Sequence, residues 1–215
     1  MLYRILLLLS VGLPAVTSAS AGSILVVGDS LSAAYGIPIE QGWVSLLQER
    51  LDARDYPYRI VNASISGDTT ANARARLPPL LAVHEPAVVV LALGGNDGLR
   101  GLSLAAMKAN LGAMIAASRE AGARVLLIGV QLPPNYGPLY TERFQGVYRE
   151  LAREGGTPLL PSLVDGIGTE RGLMQVDGIH PNAAAQPLIR DRVWETLLPL
   201  LVRDAGTVGS AAHRP

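Results

Sequence analysis

Four short polar turns carry the side chains best suited to chemistry: Gly28-Asp29-Ser30, Ser66-Gly67-Asp68, Gly94-Gly95-Asn96-Asp97 and Asp177-Gly178-Ile179-His180. Ser30 is the candidate nucleophile, and a serine hydroxyl attacks only where a base and an oxyanion hole converge on it. His180 is the candidate base, because an ordinary imidazole changes charge near neutral pH and can take and return a hydroxyl proton. Asp177 precedes it by three residues. On a helical turn that spacing puts both on one side, so the carboxylate can hold one imidazole nitrogen and leave the other for Ser30. Asn96 offers a side-chain amide to a developing oxyanion, Gly67 an N–H that no side chain shields, and Ser30 its own N–H as a third donor. Taken singly, each turn reads more readily as structural, since Gly, Asn and Asp are the usual turn residues.

Other chemistries fit less well. Ser30 does not sit in G-x-S-x-G, which argues against a nucleophile elbow, and the chain has no G-x-x-x-x-G-K-[ST] phosphate loop. Asp29, Asp68 and Asp97 beside His180 raise the possibility of a two-metal phosphoesterase. Three histidines in all and no H-E-x-x-H spacing count against it. His84, in His-Glu-Pro ahead of an apolar run, reads as a solvated loop residue, and His213 lies near the chain end. With no cysteine there is no disulfide, and Lys plus Arg equals Asp plus Glu at 18 each. That balance, without a basic run, disfavours nucleic acid or an anionic membrane surface as partner.

The elements that must position these turns follow from hydrophobic patterning. The chain has 215 residues, 49% of them hydrophobic, enough to bury one sizeable core. Short runs at Ile24–Val27, Tyr58–Asn62, Ala87–Leu93, Arg124–Gly129 and, more weakly, Pro158–Pro161 read as strands, and four of the five are near-continuously apolar, as strands buried on both faces require. Helices are expected over Trp43–Leu51, Thr70–Val83 (interrupted by Pro78-Pro79), Leu104–Ala121 and Thr141–Arg153. A last helix runs from an Asn182 cap to Leu201, with Pro187 breaking or bending it early. Right-handed crossovers then predict a three-layer α/β/α sandwich with a flavodoxin-like parallel sheet of about five strands in the order 2-1-3-4-5. In that topology the first three polar turns emerge on one edge of the sheet, and the fourth follows the fifth strand.

Residues 1–21 read as a secretory signal: Arg4, an apolar stretch from Ile5 to about Val16, then Ala19-Ser20-Ala21 as a cleavage site. The stretch falls short of the roughly 20 residues that span a bilayer, and Pro14 interrupts it. A single α/β domain is expected over residues 22–203 and a frayed tail over 204–215, which places the mature chain, without stable membrane insertion, in the periplasm or outside the cell. A monomer is expected.

With the four turns in hand, the sequence resembles the SGNH (GDSL) hydrolase family, in particular its bacterial periplasmic multifunctional esterases. Gly-Asp-Ser-Leu-Ser at 28–32, Asn-Ala-Ser-Ile-Ser-Gly-Asp-Thr at 62–69, Gly-Gly-Asn-Asp at 94–97 and Asp-Gly-Ile-His-Pro at 177–181 match in order. The resemblance implies Ser30 as nucleophile, His180 as general base and Asp177 as its orienter, with Gly67, Asn96 and the Ser30 amide as oxyanion donors. It also implies a flavodoxin-like fold, no metal or organic cofactor, and hydrolysis of aryl esters, lysophospholipids and acyl thioesters through an acyl-serine. Loops near Gly98–Leu102 and Leu132–Tyr136 are implied to shape the acyl site. Two alternatives stay open: a carbohydrate O-acetyl esterase on the same fold, and a non-catalytic secreted acyl-binding protein.

Overall fold

The apolar runs assemble into a five-stranded, all-parallel sheet: β1 (Gly22–Gly28), β2 (Tyr58–Asn62), β3 (Val88–Ala92), β4 (Arg124–Ile128) and β5 (Leu159–Leu160). Their spatial order is β2-β1-β3-β4-β5, as the sequence predicts. This computed structural model describes residues 22–201; the expected signal segment over 1–21 and the whole of the expected tail over 204–215 lie outside the described residues. Register aligns Leu25, Val89 and Val125 across three strands, with Ile24, Val88 and Arg124 one step behind.

Successive strand side chains point to opposite faces, so one apolar run feeds two cores. Leu25, Val27, Val89, Leu91, Val125 and Leu127 face the core covered by α2 (Thr70–His84), α4 (Leu104–Glu120) and α5 (Pro138–Gly155). Ile24, Val26, Val88, Val90, Leu126 and Ile128 face the core covered by α1 (Trp43–Asp52) and α6 (Gln186–Leu197). Burying each such Leu, Ile or Val contributes on the order of 2 kcal/mol. The three-layer α/β/α expectation is borne out.

Three local expectations need correction. Pro78-Pro79 does not interrupt α2, which runs on to His84. Both prolines lie on its exposed side, while Ala73, Leu77 and Leu81 keep the opposite side buried against the sheet. His84 is therefore the last residue of a helix and not a loop residue. Pro187 does not bend the last helix either. Asn182 accepts from the Ala184 N–H and caps a 3-10 turn over Ala183–Ala185. Pro187 then falls in the first turn of α6, where a missing N–H costs little. That helix stops at Leu197, and a 3-10 turn follows over Leu198–Leu200. Besides short 3-10 turns, one α-helix among the described residues went unpredicted: α3 (Gly95–Leu99), a single helical turn directly after β3.

Candidate active site

Ser30 lies just past the carboxyl end of β1, where the chain turns so that the Ser32 and Ala33 N–H groups both donate to the Asp29 carbonyl. Asn96 sits in α3 after β3, the neighbour of β1, so the two residues flank the point at which strand order reverses. The chain enters α3 through Gly94 at φ 116°, a left-handed conformation that other residues rarely adopt. A Cβ on Gly94 would also overlap the Tyr148 hydroxyl, which donates to the Leu93 carbonyl.

The loops after β1, β2 and β3 are stitched together by polar contacts. Asn96 Nδ2 donates to the Asp68 carbonyl at 3.0 Å and makes a longer contact of 3.4 Å to Asp29 Oδ2. Asp97 accepts from the Thr70 N–H at 2.8 Å and the Thr70 hydroxyl at 2.6 Å, both buried. Arg76 pairs with Asp68 at 2.7 Å and donates to the Ala63 carbonyl. Gly67 therefore immediately precedes an anchored Asp68, three residues ahead of the start of α2 at Thr70.

Asp177 and His180 lie beyond β5, in a segment that is neither helix nor strand. The expected helical turn is absent. Asp177 Oδ1 instead accepts from the backbone N–H groups of Ile179 and His180, at 2.9 and 3.0 Å. Such a carboxylate-capped turn brings positions i and i+3 together as a helical turn would. The second oxygen, Oδ2, lies 2.7 Å from His180 Nδ1, and His180 Nε2 lies 2.8 Å from Ser30 Oγ across 150 residues of sequence.

Two carboxyl groups here are displaced from their usual range in opposite directions. Burial alone would raise Asp177, but the His180 N–H, its imidazole and the Ile179 N–H outweigh it and bring the group to about 2. Asp29 is buried, which pushes its carboxyl up to about 6, although the Leu31 N–H and the nearby His180 pull the other way. Asp177 is thus an anion in place to hold an imidazolium, whereas Asp29 is a poorly solvated carboxyl beside the candidate nucleophile.

Ser30, Gly67, Asn96 and His180 line one cavity of about 490 Å³. Its remaining wall is largely apolar, with Leu31, Leu99, Val130, Leu132, Pro133, Pro134, Val164, Met174 and Ile179. Asp177 stands outside it, against a shallow hollow behind the histidine. Leu99, the last residue of α3, comes from the expected 98–102 stretch, and Leu132, Pro133 and Pro134 come from the expected 132–136 stretch, which ends in a 3-10 turn over Pro134–Tyr136. His84, at the far end of α2, is not among the cavity residues. The arrangement supplies a hydroxyl with a base, an anion behind the base, and an apolar trough for a chain.

The profile of the GDSL-like Lipase/Acylhydrolase family matches residues 26–187. The chain belongs to this family. Its GDSL-like relatives include Esterase TesA of Pseudomonas aeruginosa, 56% identical over 183 residues, which are 85% of this chain and 91% of the relative. Thioesterase 1/protease 1/lysophospholipase L1 of Escherichia coli is 42% identical over 188 residues, 87% of this chain and 89% of that one. Among solved structures, the psychrotrophic esterase EstA from Pseudoalteromonas sp., inhibited by monoethylphosphonate, superposes with a TM-score of 0.79 at 42% identity. That match covers 83% of this chain and 97% of EstA. Family membership makes the chain a hydrolase of acyl esters.

Sequence reasoning weighed Asp29 only as a metal ligand and passed over Tyr35 and Gln175. The Tyr35 ring packs on the His180 imidazole with centroids 4.5 Å apart. No local pattern marks either residue, because their contacts join segments about 140 residues apart. For Asp29 a signal existed: an acid directly between a buried strand and a candidate nucleophile.

Proposed function

We propose that the protein hydrolyses carboxylic esters and thioesters of apolar acyl chains through an acyl-serine intermediate. The observation that carries this reading is the continuous contact from Asp177 through His180 to Ser30, at the mouth of an apolar cavity also lined by Gly67 and Asn96. Ser30 Oγ attacks the acyl carbon while His180 Nε2 takes its proton, and Asp177 holds the resulting imidazolium through Nδ1–H. The oxyanion is received by the N–H groups of Ser30 and Gly67 and by the Asn96 amide, which exchanges its long contact with Asp29 for the substrate oxygen. His180 returns the proton to the leaving alcohol or thiol. Water then repeats the sequence on the acyl-serine and releases the acid. Apart from substrate and water, every group in this sequence is a protein side chain or backbone N–H, so it calls for no metal or organic cofactor.

The relatives' names, esterase, thioesterase and lysophospholipase, support aryl esters, acyl thioesters and lysophospholipids as the substrate range. The apolar cavity favours them over a glycan O-acetyl group, whose two-carbon acyl would leave most of it unfilled; a chain-length series of esters separates the readings. Ser30→Ala is expected to abolish both turnover of a p-nitrophenyl acyl ester and labelling by a fluorophosphonate. Wild-type turnover in that variant would sink the proposal. Secretion through cleavage of residues 1–21 belongs to the same reading, as does action as a monomer.

A further inference from the structure

The loop that carries the base has no regular structure to hold it: residues 176–179 are exposed, and the nearest β contact is an isolated bridge between Met174 and Pro181. Yet His180 Nε2 is held 2.8 Å from Ser30 Oγ, on a different loop. Backbone and side-chain contacts close a circuit between the two. The Tyr35 N–H donates to the Ser30 carbonyl at 3.3 Å. The carboxamide of Gln175 donates from Nε2 to the Tyr35 carbonyl at 2.7 Å and to the Pro181 carbonyl at 3.1 Å. The Gln175 N–H donates to the His180 carbonyl at 2.8 Å, which brings the circuit back to the base. Outside the reacting pair, Gln175 is the one residue of this circuit that acts through its side chain.

The nucleophile's loop is shaped to receive that carboxamide. Gly36, at φ 74°, follows Tyr35, and a Cβ there would overlap Gln175 Oε1. A bare backbone at this position lets the carboxamide approach the turn closely. The Tyr35 ring, set by the same turn, rests on the His180 imidazole.

We propose that Gln175 is a positioning residue for catalysis, setting the spacing between nucleophile and base by fastening the His180 loop to the Ser30 loop. The inference rests on the acyl-serine reading above. A second tie lies deeper: Gln186 Oε1 accepts from the Trp43 N–H, and the Trp43 indole donates to the Leu31 carbonyl. That buried tie remains when Gln175 is changed, so a variant keeps its fold and its loop while losing the close adjustment. Misplacing a reacting group lowers the rate of the step it takes part in without weakening substrate binding equally.

Gln175→Met keeps the length and bulk of the side chain and removes the donor. It is expected to lower kcat roughly three- to tenfold, the value of about one net hydrogen bond, with KM moved less than about twofold. The fluorophosphonate labelling rate should fall by the same factor while the final labelling still reaches one per chain. Gly36→Ala, which displaces the carboxamide with Gln175 in place, should give the same split, and the double variant should be no worse than the weaker single. Wild-type kcat and labelling rate in Gln175→Met would overturn the inference. So would a reduced labelled fraction reacting at the wild-type rate, which marks a merely structural role. Ser30→Ala in the same assay keeps the two failures apart: turnover there defeats the acyl-serine reading, whereas a silent Ser30→Ala beside a wild-type-like Gln175→Met defeats only the role of Gln175.

Discussion

Asp29 sits one residue before the nucleophile, buried, with its Oδ2 against the Asn96 amide. Its carboxyl rises from 3.8 to about 6, chiefly through burial and against the pull of the Leu31 N–H and His180. A group that holds its proton more tightly when folded favours the folded chain while protonated. That contribution is complete below about pH 4 and is lost as pH climbs past 6, on the order of 3 kcal/mol in all. Asp177, lowered to about 2, acts in the opposite sense: it stabilises above 3.8, and that contribution is lost as pH falls towards 2. Asp29→Asn should therefore raise the melting temperature at pH 8 relative to wild type and flatten its change between pH 4 and 7. It should also slow turnover roughly tenfold, because the Asn96 amide loses the carboxylate beside it, keeps only the Asp68 carbonyl, and is less firmly aimed. Thermal unfolding at both ends of that range decides the matter; an Asn variant as pH-sensitive as wild type would clear Asp29 of the effect. An acid adjoining a candidate nucleophile is visible in the sequence, but its displacement comes from burial by surrounding elements, which no local pattern records.

The elements divide by how much of their cause is local. β1, β3 and β4 were legible because strands covered on both faces must be apolar nearly throughout. The edge strand β2, with Arg59 and Asn62 exposed, was legible from its short β-branched run alone. The last helix was placed by its capping Asn182, although the 3-10 turn between cap and α6 was not. α3 escaped because five residues are too few to show a period, and its cause is a single left-handed glycine. The turn at Asp177 was assigned the right proximity for the wrong reason: a side-chain oxygen capping two backbone N–H groups, where a helical turn was expected. Gly94 tests the importance of such a junction. Gly94→Ala places a methyl against the Tyr148 hydroxyl and strains the backbone, at a cost on the order of 3 kcal/mol. Because α3 carries Asn96, activity should drop more than tenfold even at temperatures where the variant is fully folded; circular dichroism beside a kinetic assay reads both.

At the scale of the whole molecule, three turns from three crossovers and a fourth from the segment after β5 meet because parallel strands all end on the same edge. That convergence was legible in the order of the strands alone. The coupling of Tyr35 and Gln175 was not, since it depends on which loops happen to touch. Among the described residues no helix is long and apolar enough to cross a membrane. If residues 1–21 are removed on export, protein recovered from the periplasm should have a mass beginning at Gly22 and should hydrolyse ester fully, whereas an intact precursor found there would refute cleavage. β1 begins at that same Gly22 and reaches the site only at its other end, Gly28, six residues on, a rise of roughly 20 Å. A tether joined ahead of Gly22 therefore grips the molecule on the side away from its mouth: an enzyme anchored there, to a bead or behind a fused partner, presents its substrate trough outward.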